Sequence, residues 1–576
     1  MILTKLKEYA ENRIELPPTM YGENKIAWYI DLTAEGKFEG FIPLKSKEAK
    51  RGIAMITPHI GRSSGVKPKL LTDTAEYILG IGRETSKPER VKECHKQFKA
   101  LIQQCAAETG EAELQAILHF LNDSEIKQAK KELPDGFDPG DVLTFRVGGK
   151  IPANAAENWH NIQQFWANYT SGSTKDSSDK NKPEMTCLIT GETTAVEQRL
   201  PFKIKGIIGG QASGTALVSA NSKAFESYGL KNSLTSPISK DAAEKFAKAL
   251  NSLIANEQNQ SRIYLGSTVY LFWTKEKTGF NPLACLDKPD PEAVGNLLTS
   301  PQTAKQASSL QANQFYGLSL TANNARAVVR DWLETTVPNV EANLKTWFQR
   351  QQIVDAVGAE YRPLSVYVLA ASIYRDAAKE MQPSVPTALM RNALKSDRLP
   401  YDLLNKLVRR NRVERNVTYP RAMLTKLIFS SDSQTQTMMT NMEQLNLNPD
   451  LAGSDRSAYY CGRLLAVLEA IQRAAIQKIN TSLTDRYYGA ASSTPANAFS
   501  SLMRNARHHL AKLRNDKKTR GACIALEKRL EEVVVNLPTF PKTLNLQQQG
   551  LFALGYYHQR ASDRAAAEAS KKRQST

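Results

Sequence analysis

The hydrophobic pattern of the chain changes near residue 340, and this change constrains the fold more strongly than any other feature. Before it, short runs rich in β-branched and aromatic residues, such as "DVLTFRV" and "IYLGSTVYLFW", alternate with helical patterns such as "RVKECHKQFKALIQQC". After it, stretches such as "AYYCGRLLAVLEAIQRAAIQKI" carry apolar residues three and four positions apart and show almost no strand signal. The sequence therefore predicts an α+β N-terminal and middle region followed by an all-α C-terminal helical bundle.

With 576 residues the chain exceeds the size of one ordinary hydrophobic core, so several domains are expected. We predict an N-terminal α+β domain (1–150), a middle α+β domain (151–340) and a basic helical bundle (341–576). A hairpin is expected where "TAEG" separates "NKIAWYIDL" from "KFEGFIPL". Two further strands, "FKIKGII" (202–208) and "TALVSA" (215–220), are expected on either side of a glycine-rich turn.

Positive charge is concentrated in the C-terminal third. Residues 391–576 hold 30 Lys and Arg against 15 Asp and Glu, whereas the whole chain holds 76 against 58, a net charge of +18. Such an excess on one domain favours a polyanionic partner, of which nucleic acid is the leading candidate.

The sequence contains no motif that would indicate an enzyme. "GIIGGQASGT" (206–215) has the glycine spacing of a phosphate-binding loop, but Thr215 occupies the position of the essential lysine. We expect a tight turn there, or a close backbone approach to a ligand. No H-E-x-x-H or C-x-x-C pattern occurs. We therefore predict no catalytic residue, no metal site and no cofactor. Because no run of about eighteen apolar residues occurs, no membrane span is predicted either.

The stretch "RNARHHLAKLRNDKKTRG" (504–521) combines two adjacent histidines with a dense set of basic residues. Two metal-ligating histidines on one helix need an i, i+4 spacing, and His508 and His509 point in different directions, so no metal site is expected. An apolar stripe should face the bundle core: Phe499, Leu502, Met503, Ala506, Leu510 and Leu513. The basic side chains either contact a phosphate backbone or form an ordinary solvated face. They are Arg504, Arg507, Lys512, Arg514, Lys517, Lys518 and Arg520.

A second basic segment, "GRSSGVKPKLLTDTAEYILG" (61–80), begins with a short loop rich in hydroxyl groups and glycine. Its polar side chains suit a nucleic-acid groove or backbone: Arg62, Ser63, Ser64, Lys67 and Lys69. The alternative is an ordinary loop that leads into a helix capped by Thr72 or Asp73.

Several stretches together resemble one family. "RSSGVKPKLLTDTAEYILG", "GTALVSANSKAFESYG", "TYPRAMLTKLI", "DRYYGAASSTPANAFSSLMRNARHHLAKL" and "FPKTLNLQQQGLFALGYYHQR" resemble, in the same order, signature stretches of the large subunit of the type I-C CRISPR Cascade complex. The resemblance runs over nearly the full chain. Lys69 and Thr72 stand where it leads us to expect Asn and Trp, and Ala220 replaces an aromatic residue.

The resemblance implies a non-catalytic subunit of a surveillance complex in which base pairing with a guide RNA reads the target sequence. The large subunit would recognise the protospacer-adjacent motif of double-stranded DNA, help to open the duplex, stabilise the R-loop and recruit the helicase-nuclease in antiviral defence. Further implied partners are the displaced single strand, the Cascade backbone and RNA-processing subunits, and a helical small subunit translated from the same gene. Met438, Met439 or Met442 could start that small subunit. The expected location is the cytoplasm of a prokaryote.

On this basis motif reading is assigned to the 61–69 loop, with Asn221 and Tyr228 of "SANSKAFESYG" as further contacts to a base edge or an unpaired base. For Phe225 of the same stretch, core packing is favoured. The basic residues between Arg504 and Arg520 would hold a nucleic-acid backbone, with contributions from His558 and Arg560, while Tyr556 and Tyr557 anchor the last helix. Two alternatives stay open: a general single-stranded nucleic-acid-binding scaffold outside CRISPR, and a metal-dependent nuclease.

Overall fold

In this computed structural model the described residues form two compact units. The described ranges are 2–62, 65–122, 124–171, 183–220, 222–255, 261–299, 313–356, 361–432, 451–476 and 480–575. Unit 1 comprises residues 1–206, 210–255 and 323–327, and unit 2 comprises residues 207–209, 256–322 and 328–576. The boundaries at residues 150 and 340 that we expected from the sequence stay a prediction.

Unit 1 is built from short strands and helices. Its strands are β1 (Tyr21–Ile26), β2 (Trp28–Leu32), β3 (Phe38–Pro43), β4 (Ile53–Pro58), β5 (Thr72–Thr74), β6 (Val142–Val147), β7 (Glu184–Thr186) and β8 (Thr193–Ala195). Its helices are α1 (Ile2–Arg13), α2 (Ala75–Ile78), α3 (Pro88–Thr109), α4 (Ala112–Leu121), α5 (Ser124–Lys131), α6 (His160–Ser171) and α7 (Lys240–Ala255).

A four-stranded sheet in the order β3-β2-β6-β5 organises the core of unit 1. Strands β2 and β3 form the expected antiparallel hairpin, and β6 joins β2 in parallel. The sheet buries Ile30 and Phe145 against the apolar faces of α3 and α4, including Phe98 and Phe120. The hairpin prediction and the helical patterns of this region are thus confirmed.

The strands expected at 202–208 and 215–220 are wrong. These segments make only isolated bridges, Ile204 with Thr215 and Ala216 with Arg326. Gly214 explains part of this irregularity, because it has φ +93° and a Cβ there would lie 2.8 Å from the Cβ of Lys203. The close approach of two backbones, rather than a regular ladder, is therefore what the glycine permits.

Unit 2 combines one sheet with a helical bundle. Its strands, β9 (Arg262–Leu265), β10 (Thr268–Thr274), β11 (Gln314–Asn323) and β12 (Arg326–Thr336), pair in the order β12-β11-β10-β9; the tip of the β11–β12 hairpin, residues 323–327, counts with unit 1. Its helices are α8 (Pro282–Leu286), α9 (Pro291–Thr299), α10 (Val337–Gln351), α11 (Val366–Ala371), α12 (Ala377–Glu380), α13 (Ser384–Lys395), α14 (Tyr401–Glu414), α15 (Tyr419–Ser430), α16 (Gly453–Ala475), α17 (Leu483–Ala491), α18 (Pro495–Asn515), α19 (Arg520–Val534) and α20 (Leu546–Ser575).

Helices α16 and α20 form the centre of the bundle and touch backbone to backbone. A Cβ on Gly462 would lie 2.0 Å from the carbonyl oxygen of Phe552, and a Cβ on Gly555 would lie 2.0 Å from that of Tyr459. Both positions therefore need glycine. The predicted fold class is confirmed: sheets lie in the N-terminal and middle region, and helices fill the C-terminal part.

Candidate nucleic-acid interface

The loop at residues 61–69, named here the first basic loop, is anchored by a buried carboxylate. Asp73 is 1% exposed, and its oxygens accept hydrogen bonds from the Arg62 guanidinium (Nη1 to Oδ1, 2.9 Å) and from the Lys69 backbone N–H (2.9 Å). The Arg62 guanidinium also lies 4.2 Å from the ring centroid of Tyr77 and donates from Nε to the Lys67 carbonyl oxygen at 2.6 Å. Most donors of Arg62 are thus used inside the protein.

The electrostatic environment of Arg62 also favours a role inside the protein. Burial opposes the charge on its guanidinium, but the hydrogen bonds and ion pair with Asp73 outweigh that cost and raise the pKa of Arg62. A guanidinium held in this way shapes the loop instead of reaching into solvent. Arg62 is therefore a residue that positions the loop.

The two lysines of the first basic loop have different environments. Lys69 Nζ donates to Asn24 Oδ1 of β1 at 3.0 Å, and burial lowers the pKa of Lys69. The Lys67 side chain is exposed. Ser63 and Ser64 lie outside the described residues. Arg62 keeps 27% of its side chain exposed but is paired with Asp73, whereas Lys67 is the described basic candidate of this loop whose exposed side chain forms no hydrogen bond or ion pair with a described residue.

Two lysines that we did not single out from the sequence, Lys205 and Lys248, lie with Lys69 around His59. Burial lowers the pKa of His59 to about 4, and the charges of Lys69, Lys205 and Lys248 contribute in the same direction. The His59 ring stacks on Phe202 with a centroid separation of 5.1 Å. Lys205 and Lys248 are themselves paired with Glu23 and Glu244, so the positive charge around His59 is partly neutralised. Lys205 lies in "PFKIKG" (201–206), far along the chain from the first basic loop, so the sequence alone gives no sign that the two segments meet.

A tight turn at residues 227–230 exposes a strained tyrosine. Tyr228 has φ +54° and Gly229 has φ +73°, and the Leu230 N–H donates to the Ser227 carbonyl oxygen at 2.9 Å. Two positive φ values closed by an i to i+3 hydrogen bond are the signature of a type I′ turn, which prefers Asn-Gly or Gly-Gly. Tyr228 is nevertheless a bulky residue, and it is 98% exposed. An aromatic side chain held out of the protein in an unfavourable backbone conformation points to a function outside the fold.

Phe225 lies on the same exposed segment. Its side chain is 49% exposed, and the Arg326 guanidinium lies 4.1 Å from its ring centroid. The core packing favoured for Phe225 from the sequence is therefore wrong, because the segment turns along the surface. Asn221, the other polar candidate of this segment, lies outside the described residues.

Helix α18 and the turn after it carry the helical basic patch, which is defined by the seven residues predicted from the sequence. All seven are exposed: Arg504, Arg507, Lys512, Arg514, Lys517, Lys518 and Arg520. The predicted apolar stripe faces the core, with Phe499, Leu502 and Leu513 fully buried. Arg514 is paired with Glu527 of α19. The geometry therefore presents a continuous basic face to solvent, with one of its charges compensated.

The two histidines of this helix do not converge on a common point. His508 is exposed, while His509 is half-buried, and its pKa is lowered by burial and by the charges of Lys512 and His508. Among the described residues no group of three or more His, Cys, Asp or Glu side chains is arranged to hold a metal ion.

Three polar side chains of the last helix, α20, form hydrogen bonds inside the bundle. His558 is 1% exposed and its Nδ1 lies 2.9 Å from the Tyr459 hydroxyl; burial lowers the pKa of His558 to about 3. Tyr556 donates to Glu469 Oε2 and Tyr557 to the Val354 carbonyl oxygen, each at 2.9 Å. The anchoring role of the tyrosines is confirmed, whereas a contact of His558 with nucleic acid is wrong, because the imidazole has no access to solvent.

A family model described as CRISPR-associated protein (Cas_Csd1) matches residues 3–563. No curated protein matches the chain. In the described part of the chain, no helix is long and apolar enough to cross a membrane.

Proposed function

The chain belongs to the family of CRISPR-associated protein (Cas_Csd1), and on that premise we propose that it is the non-catalytic large subunit of a type I-C Cascade complex. In this role it recognises the protospacer-adjacent motif of target double-stranded DNA, helps to open the duplex and stabilises the R-loop. It also recruits the helicase-nuclease. Base pairing with the guide RNA reads the remaining sequence.

The observation that carries the duplex-opening step is the exposed turn at Tyr228. A phenol ring that is 98% exposed can stack on a nucleobase that has lost its partner, and such stacking is sequence-tolerant. The neighbouring Phe225–Arg326 pair offers a second aromatic and cationic surface on the same segment. We propose that Tyr228 occupies the junction between paired and unpaired bases.

The first basic loop is proposed to lie against the duplex next to the motif. Lys67 contacts a phosphate or a base-edge acceptor, together with Ser63, Ser64 and Asn221, which lie outside the described residues. Arg62 and Lys69 keep the loop in place through Asp73 and Asn24. The helical basic patch is proposed to follow the backbone of the displaced strand or of the heteroduplex.

The proposed partners are the guide CRISPR RNA, the backbone and RNA-processing subunits, the helicase-nuclease and a helical small subunit. The three methionines proposed as its internal start (Met438, Met439 and Met442) lie outside the described residues. A prokaryotic cytoplasmic location belongs to the same proposal.

The proposal is tested by assembling guide-loaded complexes with and without this chain. We expect that only complexes containing it select targets beside the correct motif, and that a pull-down of the chain recovers a short repeat-derived RNA. Correct selection by complexes that lack the chain would refute the proposal. Sequence-blind binding without any guide would favour a general scaffold, and cleavage of DNA by the purified chain with magnesium or manganese would favour a nuclease.

A further inference from the structure

Two arginines of α14 line an open groove in unit 2. Arg409 and Arg412 are three residues apart and so lie on the same helix face. The groove has a volume of about 770 Å³, and its other walls come from Gly489 of α17 and from Leu546 and Gln549 of α20. Both arginines are exposed. The groove thus offers two guanidinium groups to anything that enters it.

The neighbouring carboxylates are already engaged. Glu414 pairs with Arg410 and Arg421. Asp485 accepts hydrogen bonds from the Ser482 backbone N–H at 2.9 Å and from its hydroxyl at 2.7 Å. In the described part of the chain, neither Arg409 nor Arg412 forms an ion pair or a side-chain hydrogen bond. The positive charge of the groove is therefore not neutralised by these acids.

Gly489 has no structural reason to be a glycine. It lies inside α17, has no positive φ, and a Cβ at this position would meet no atom within 4 Å. Glycine is the least favourable residue in a helix interior after proline, so the helix is weakened without any gain in packing. A side chain at this position would project into open space at the groove wall. A glycine in such a place allows the backbone of a ligand to come close.

The groove also has an apolar side. Val413 is 66% exposed, and the buried Val408 also lines the groove. A strand of phosphates linked by sugars, each of which carries a base, would match both kinds of wall: the phosphates would face the arginines, and a sugar or base would cover the valine.

We propose that this groove binds one strand of nucleic acid, with backbone phosphates at Arg409 and Arg412, a sugar or base against Val413 and the strand pressed against Gly489. The arginine fork matches a phosphate with two parallel hydrogen bonds. The inference rests on the proposed function only in taking nucleic acid as the ligand. It names a second contact site, separate in sequence from the helical basic patch. An acidic protein segment is the competing occupant.

The experiment measures how salt weakens the binding of a labelled oligothymidine of about 16 nucleotides to the full chain, by fluorescence anisotropy. Each phosphate contact on a single strand adds about 0.7 to the slope of log K against log salt, so the double variant Arg409→Gln/Arg412→Gln should lower the slope by about 1.4. Gly489→Leu changes no charge but fills the groove, and it should lower the slope by a similar amount. Gly489→Ala adds one methyl group where the strand lies closest, so it should weaken oligothymidine binding, but by less than Gly489→Leu does.

Two controls match these changes. Gly295→Leu places the same side chain at another helical glycine whose Cβ would meet nothing within 4 Å, and Arg375→Gln/Lys379→Gln removes two exposed charges elsewhere in unit 2. Both should keep the original slope. The proposal is overturned if Gly489→Leu leaves the slope unchanged, or if the arginine variant lowers it no more than the charge control. It is equally overturned if both groove variants keep oligothymidine binding and instead lose binding of a polyglutamate peptide.

Failure of this inference is distinguishable from failure of the proposed function. Motif selection is measured in guide-loaded complexes, whereas the groove is measured by sequence-blind binding to the chain alone. A groove that binds no strand would leave motif selection intact.

Discussion

Replacing Tyr228 by Asn should stabilise the protein and weaken duplex opening at the same time. Tyr228 and Gly229 occupy the two central positions of a type I′ turn, where Asn-Gly is the preferred pair. Because the phenol ring is 98% exposed, its removal forfeits almost no buried surface. The substitution therefore isolates the backbone cost of keeping an aromatic residue in the left-handed region.

The magnitude follows from that cost. A left-handed conformation disfavours an ordinary L-residue by about 1–2 kcal/mol, and Asn tolerates it because its short polar side chain bonds locally. We expect the free energy of unfolding to rise by about 1 kcal/mol. For unit 1, which has about 250 residues, this corresponds to an increase of about 2–4 °C in Tm.

The second readout is DNA opening by the guide-loaded complex. With 2-aminopurine placed beside the motif, loss of one base–aromatic stack should reduce the equilibrium constant for opening by a factor between about 5 and about 150, the equivalent of about 1–3 kcal/mol. Tyr228→Phe keeps both ring and strain, so it should leave Tm and opening near their original values. Tyr367→Asn, at a tyrosine that is 41% exposed in α11, is the matched control and should give neither the gain in Tm nor the loss of opening.

The change in Tm and the change in duplex opening are independent outcomes. An unchanged or lower Tm for Tyr228→Asn would refute the argument from backbone strain. Full 2-aminopurine signal in the same variant would refute the stacking role, whatever its Tm.

Three further predictions concern other parts of the chain. Arg62→Gln leaves the Asp73 carboxylate, which is 1% exposed, without its main partner, so the free energy of unfolding measured with urea should fall by about 2–3 kcal/mol. Lys67→Gln, the control, should change it by no more than about 0.5 kcal/mol. Equal effects of the two substitutions would show that the ion pair does not hold the loop. Reversing Arg507, Lys512 and Arg514 to Glu should weaken DNA binding in gel-shift assays at all sequences alike, and a loss confined to one motif base would contradict a backbone role for this patch. The pKa of His558 is about 3 in the folded chain, below its usual value near 6.5, so the unfolded chain takes up a proton first as the pH falls. Between these two pKa values the free energy of unfolding drops by about 1.4 kcal/mol per pH unit. His558→Gln should therefore reduce the loss of stability between pH 6.5 and 4.5 by about 2 kcal/mol in urea titrations; an unchanged pH dependence would show that His558 is not buried in its neutral form.

The helix patterns were predictable because they depend on local spacing. Leu502, Leu510 and Leu513 recur at helical intervals, so the core side of α18 and the exposed position of its basic residues follow from the sequence. In the same way "TAEG" between two β-rich runs predicts the β2–β3 hairpin. Such signals need no knowledge of distant residues.

The direction in which an isolated polar residue points was not predictable. Arg62 and Lys69 carry the same charge as Lys67, but Asp73 and Asn24 take up the donors of the first two. His558 is one residue away from a tyrosine that the sequence correctly places in the core, and its own burial depends on α16 lying against α20. Phe225 has a large apolar side chain of the kind that usually packs in a core, but its segment runs along the surface.

By itself, then, the sequence determines that an α+β region is followed by a helical region, that the C-terminal third is basic, and which face of α18 is exposed to solvent. Each of these depends only on composition or on the period of the hydrophobic pattern. Only the tertiary structure decided which charges stay available. It placed Asp73 beneath Arg62, turned Tyr228 into solvent at a positive φ, and left Arg409 and Arg412 beside the open wall at Gly489. The physical reason is that a charge is neutralised by whatever lies within a few ångströms of it, and folding brings those neighbours from distant parts of the chain.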